Sequence, residues 1–135
     1  MSEIIADNLT GKTAAGNVTI TSEGGSATMQ LQQGVAKAWV NFNGTGTIAA
    51  RDSLNLSSLV DNNTGRYDVN LTNSLNNDDF ASVSCVGEVV SSAGDRSASN
   101  SPVDSNTVLV GTTSSNNGAY NDNDFVLTTI HGDLA

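Results

Sequence analysis

Residues 36–47, Ala-Lys-Ala-Trp-Val-Asn-Phe-Asn-Gly-Thr-Gly-Thr, constrain this chain more than any other stretch, because they hold its only Trp and one of its three Phe. Ala38, Val40 and Phe42 fall on one side of a period-two pattern, and Lys37, Trp39, Asn41 and Asn43 on the other, which predicts a β-strand with one apolar and one polar face. Gly44 and Gly46 end it. In a chain so poor in aromatics, this strand is expected to nucleate the core. Trp39 breaks the pattern by pointing away from Val40 and Phe42. Either the sheet is covered on both faces or Trp39 packs against another subunit.

The rest of the chain reads as short strands cut by turns. Ile48 to Arg51 and Leu54 to Val60 are expected as strands. Asp61-Asn62-Asn63-Thr64-Gly65, rich in residues that tolerate positive φ, is expected as a hairpin loop into Arg66–Thr72, where Tyr67, Val69 and Leu71 share a face. Phe80 to Val86 is apolar on both sides in places, as a central strand would be. Thr107–Thr112 and Phe125–Ile130 complete the set. Ser91 to Ser105, a run of Ser, Asn, Gly and Asp with the single Pro102, shows no apolar pattern and is expected as a long loop, with Ser114–Gly118 and Asn121–Asp124 as further exposed loops. Short strands without βα alternation predict an all-β fold, an antiparallel β-sandwich or jelly-roll-like domain.

Residues 1–34 differ. Turn residues at Gly11, Gly16-Asn17 and Gly24-Gly25 divide them into pieces too small to bury a face alone, and Val18 to Thr21 is the β-prone one. Met29–Gly34 is the one helix-compatible piece, ended by Gly34. The expected organisation is an extended N-terminal attachment and oligomerisation segment, residues 1–34, followed by a β-sandwich domain, residues 35–135. In a symmetric oligomer the N-terminal pieces could be strands laid around a shared axis, with Val18 and Ile20 joining Trp39 in the interface.

A formal charge of −9, with five scattered basic residues, argues against a nucleic-acid partner. No apolar run approaches the ~18 residues of a membrane-spanning helix, so membrane insertion is not expected. The N-terminus carries acid where a signal peptide carries base, which points to synthesis in a cytoplasm. Cys85 is the lone cysteine and is expected as a buried apolar thiol.

Few residues of the sequence point to chemistry. His131 is the only His and has no Gly-x-Ser-x-Gly elbow to serve. Asp78-Asp79 and Asp122-Asn123-Asp124 read as turn residues rather than an acid/base pair. Asn121–Asp124 offers oxygens to Ca²⁺ but lacks the Gly and distal Glu of an EF-hand loop. No catalytic residue, metal site or cofactor is assigned.

Residues 37–47, together with Arg51-Asp52-Ser53-Leu54-Asn55-Leu56-Ser57-Ser58 and Asp61-Asn62-Asn63-Thr64-Gly65, resemble a module of tail-fibre-like proteins of tailed bacteriophages, notably those of aquatic bacteria. In that family the pattern runs Lys-Ala-Trp-hydrophobic-Asn-Phe-Asn-Gly-Thr-Gly-Thr, then Asp-Ser-Phe-Asn-Val-Ser-Ser, then an Asp-Asn-Gly-Thr-Gly-like turn, often closing on Phe-Gly-Asp-Leu. Here Leu54 stands for the usual Phe, Asn63 for a Gly, and His131 for the apolar residue before Gly132-Asp133-Leu134. The match spans residues 23–75 and the last few; residues 76–125 match poorly.

The resemblance implies a virion protein with three-fold symmetry, hence a homotrimer, contacting other tail or capsid proteins and the host surface. A capsid decoration or tail-assembly protein with no receptor role is the alternative. Host contacts are expected where the chain departs most from the family pattern, at Asp95, Arg96, Asn100, Asn116, Asn117, Tyr120, Asn121 and Asp122. Amide, hydroxyl and aromatic groups of this kind suit a neutral, hydroxyl-rich ligand such as host surface polysaccharide.

Overall fold

A computed structural model describes residues 3–88 and 95–135. The chain separates into two compact units, Met1–Val35 and Ala36–Ala135. In the first, β1 (Thr19–Thr21) and β2 (Thr28–Gln30) form an antiparallel hairpin, followed by the single turn of helix α1 (Leu31–Gly34). Met29 and Gln30, expected as helical, belong to β2 instead, where Met29 pairs with Ile20. Three-residue strands cannot enclose a core, and every residue of both is exposed.

The second unit is an antiparallel β-sandwich. One sheet has the order β4-β3-β10-β7, from β3 (Ala38–Asn43), β4 (Ala49–Leu54), β7 (Ala81–Gly87) and β10 (Phe125–His131). The other has the order β5-β6-β9-β8, from β5 (Leu56–Asn63), β6 (Arg66–Leu71), β8 (Arg96–Asp104) and β9 (Thr107–Ser114). Hairpins β3–β4, β5–β6 and β8–β9 each stay within a sheet, and the other connections change sheets.

Strict alternation builds the core. Ala38, Val40 and Phe42 of β3, with Val126 and Ile130 of β10, face Tyr67, Val69 and Leu71 of β6 and Val108 and Val110 of β9, all buried. The Phe42 and Tyr67 rings meet edge-to-face across the sheets, centroids 5.2 Å apart.

The change of sheet between β4 and β5 depends on Asn55, the one non-glycine residue with positive φ, 59°, among the described residues. Its Nδ2 donates to Lys37 O (3.1 Å) and Asn73 O (3.0 Å), while Asn73 N donates to its Oδ1 (2.7 Å). Asn tolerates the left-handed region because its side chain can bond the local backbone. The strand expected over Leu54–Val60 is therefore broken at Asn55.

Three other expectations change. Asp61–Asn63 belongs to β5, leaving Thr64-Gly65 as the turn, with Gly65 at φ +64°. β7 lies at the edge of its sheet, not the centre. Most of Ser91–Ser105 is not a loop: Arg96–Asp104 is strand β8, pairing with β9 from Arg96↔Ser114 to Asp104↔Thr107, and residues 91–94 lie outside the described residues. Pro102 is tolerated because β8 is an edge strand and its register shifts there.

Candidate functional site

The outer face of the β4-β3-β10-β7 sheet carries an apolar patch beside the polar cross-strand pair Asn41 and Asp52. The alternation that buries Val40 turns Trp39 outward, between its cross-strand partners Leu54 and Thr129; Thr129 in turn faces Val83, and Leu127 faces Cys85. Trp39 is 36% exposed, Leu127 37% and Val83 67%. A groove of about 380 Å³ runs among Trp39, Asn41, Val83, Cys85, Leu127 and Thr129. At its floor Asn41 Oδ1 is buried without a hydrogen-bond partner. Nearby, the Arg51 guanidinium lies 4.2 Å above the Phe125 ring, a cation–π contact.

Among the described residues of the sandwich no further layer packs on this face, so Trp39 is not enclosed between two layers of its own domain. The same geometry corrects the expectation for Cys85. Its thiol is exposed, because its partner Leu127 and the groove are on the outer side of the sheet. The two-sided apolarity of β7, which suggested a central strand, comes from this uncovered face.

At one end of the sandwich the polar residues turn inward. Asp122 Oδ1 accepts from Gly65 N (2.7 Å) and from the Tyr67 hydroxyl (2.9 Å), which also lies 3.1 Å from Gly44 O. Burial first, then the hydrogen bond and negative charge of Asp122, push the Tyr67 phenol well above the ordinary tyrosine range. Asn123 is fully buried, donating from Nδ2 to Asn121 O (2.9 Å) and accepting from Arg96 Nε (3.0 Å). Arg96 also bonds Glu88 Oε1, through Nε at 2.9 Å and Nη2 at 2.6 Å. Thr112 Oγ1 donates to Asn121 O (2.5 Å).

The expected host-contact residues thus divide. The Asp122 and Arg96 side chains are bonded within the sandwich, and the Asn121 backbone bonds Thr112 and the Asn123 side chain. Asn100 sits on β8 opposite Val110, with Oδ1 buried and unpartnered, so it too faces inward. Asp95, Asn116, Asn117 and Tyr120 are exposed. Asn117 Oδ1 accepts from Ala119 N (3.0 Å) and shapes the turn, where Gly118 has φ +68°. Tyr120, 49% exposed, is held by a bridge to Thr113 and lies 5.5 Å from the Arg66 guanidinium carbon. Of the expected interface residues outside the sandwich, Ile20 is exposed and Val18 half-buried within the N-terminal unit.

Among the described residues no group of three or more His, Cys, Asp or Glu side chains is arranged to hold a metal ion. No helix of the described residues is long and apolar enough to cross a membrane. Comparison with protein-family models, curated proteins and solved structures found no match.

Proposed function

We propose that this chain is a structural protein of a bacteriophage virion, a short tail fibre or fibre-tip component that attaches to the particle through residues 1–34 and meets the host through its β-sandwich. The observation that carries the reading is the uncovered apolar face around Trp39. Leaving that surface in water costs about 25 cal/mol per Å², and exposed apolar patches of this kind mark association sites. Its central residues, Trp39, Asn41 and Leu54, lie in the segments that resemble tail-fibre modules. Self-association through this face gives a homotrimer, the symmetry that the resemblance implies, and other tail or capsid proteins are its further partners. The acidic surface suits neither nucleic acid nor membrane insertion, and no catalysis is assigned to the chain.

A capsid decoration or tail-assembly protein would need the same apolar face to clamp its neighbours. Antibodies raised against the purified sandwich separate the two in negative-stain electron microscopy of intact particles. Label at the tail periphery is expected; label distributed over the capsid lattice would replace the proposal with the clamp.

A further inference from the structure

A β-sandwich of two open sheets has four edge strands, and a bare edge invites another chain to pair with it, so natural edges are blunted by charge, proline or bulges. Three edges of the described sandwich are blunted in this way. β4 carries Arg51 and Asp52, and its pairing with β3 is bulged between Asn41 and Phe42. β5 shifts register twice against β6 and carries Asp61. β8 holds Pro102 at a register shift and ends in Asp104. The fourth edge, β7, reads Ala-Ser-Val-Ser-Cys-Val-Gly, with no charge and no proline, and pairs with β10 from Phe125↔Gly87 to His131↔Ala81 without a shift. On its other side β7 has no strand partner among the described residues. Alternate residues of this strand turn their N–H and C=O groups to that open side. Val83 and the exposed Cys85 thiol stand on the same strand and form one rim of the Trp39 groove.

We propose that β7 accepts residues 3–9 of a neighbouring copy as a fifth strand of its sheet. These residues, Glu-Ile-Ile-Ala-Asp-Asn-Leu, belong to no strand or helix and are exposed throughout, Ile4 and Ile5 at 87% each and Leu9 at 60%. β-branched isoleucines suit an extended strand. In such a strand Ile5 and Leu9 fall on one face and Ile4 and Ala6 on the other. Ile5 and Leu9 then lengthen the apolar row of Val83 and Cys85, while Ile4 and Ala6 turn to the side of Ser82, Ser84 and Val86. Backbone hydrogen bonds supply the affinity in strand addition, and the alternating side chains supply the fit. Charge selects this edge. Glu3 and Asp7 of the added segment meet no acid on β7, whereas β5 and β8 present Asp61 and Asp104. Symmetry selects the donor. Two β7 edges paired with each other make a two-fold dimer, whereas a segment of one copy laid on the edge of the next is a head-to-tail contact that a three-fold ring can close.

The added strand deepens the self-association in the function proposed above and rests on it, and its test separates the two. Residues 3–9 of the full chain are replaced by Cys one at a time with Cys85 kept; all seven positions are exposed, so each subunit should fold as the parent does. Each variant is oxidised in air and run on a non-reducing denaturing gel. Covalent dimers and trimers are expected at alternate positions, those that share a face with Cys85, and are expected to be lost at the positions between. Ile4→Asp and Ile5→Asp made together should weaken association about tenfold in sedimentation velocity. Disulfides at every position alike, at none, or closed within one chain alone would overturn the added strand, as would undiminished association of the double variant. If the parent sediments as a trimer while any of these results is found, the added strand fails and the homotrimer stands. A parent that sediments as a monomer overturns both.

Discussion

Replacing Trp39 by Ala perturbs two equilibria, and the structure separates them. Within one subunit the indole is 36% exposed, so its truncation should cost less than the 3–5 kcal/mol of a fully buried Trp, about 2–3 kcal/mol. The exposed remainder, about 80 Å² of a large aromatic side chain, is what a second copy would cover, contributing about 2 kcal/mol per subunit to assembly. That corresponds to a loss of about 30-fold in association. Urea unfolding of dilute protein reads the first quantity, since the midpoint shifts with stability. Sedimentation velocity over a concentration series reads the second. The reasoning fails if Trp39→Ala associates as well as the parent, and it also fails if the subunit loses nothing on unfolding.

Tyr67→Phe removes the hydroxyl facing Asp122 and should cost about 1.5–3 kcal/mol, as for a hydrogen bond to a charged group. Because the folded phenol is raised above its unfolded value, its contribution is full below pH ~10 and declines as pH rises towards the folded value; the variant should lose less stability than the parent in that alkaline range, as read by urea midpoints at successive pH values. Asn55→Ala places an alanine at φ 59° and deletes the side-chain bonds to Lys37 and Asn73, an expected loss of about 2–4 kcal/mol; a thermal midpoint within a degree of the parent's would show that the sheet change does not depend on this residue. Cys85 should react readily with a maleimide in dispersed subunits and slowly once copies associate, because it shares the groove with Trp39; equal rates in both states would mean that the groove stays open.

How much of this was legible from residues alone depends on which face they occupy. Strands with an apolar inner row, such as Tyr67-Val69-Leu71 and Val108-Val110, announce themselves, and the outward Trp39 follows from the same alternation. β8 does not, because its half-buried positions are Arg96, Ala98 and Asn100 and the residues between them are serines; backbone pairing with β9 holds it, and pairing leaves no hydrophobic period to detect. Asp122 was expected at a ligand surface because Asn-Asp-Asn-Asp has the composition of a solvated loop, whereas its acceptor satisfies Gly65 N and Tyr67 Oη, partners 57 and 55 residues distant in sequence. The need for Gly at 111 could not be found from sequence either, since it is Ser99 and Tyr120, packed over that strand position, that leave no room for a side chain.

Self-association is the claim on which the account turns, and sedimentation equilibrium of the full chain at micromolar concentration tests it most directly. The account predicts a single species of three times the 13.8 kDa chain mass, dispersed by the Trp39→Ala change. A stable monomer across that range, with Trp39 fluorescing as an indole open to water, would contradict it.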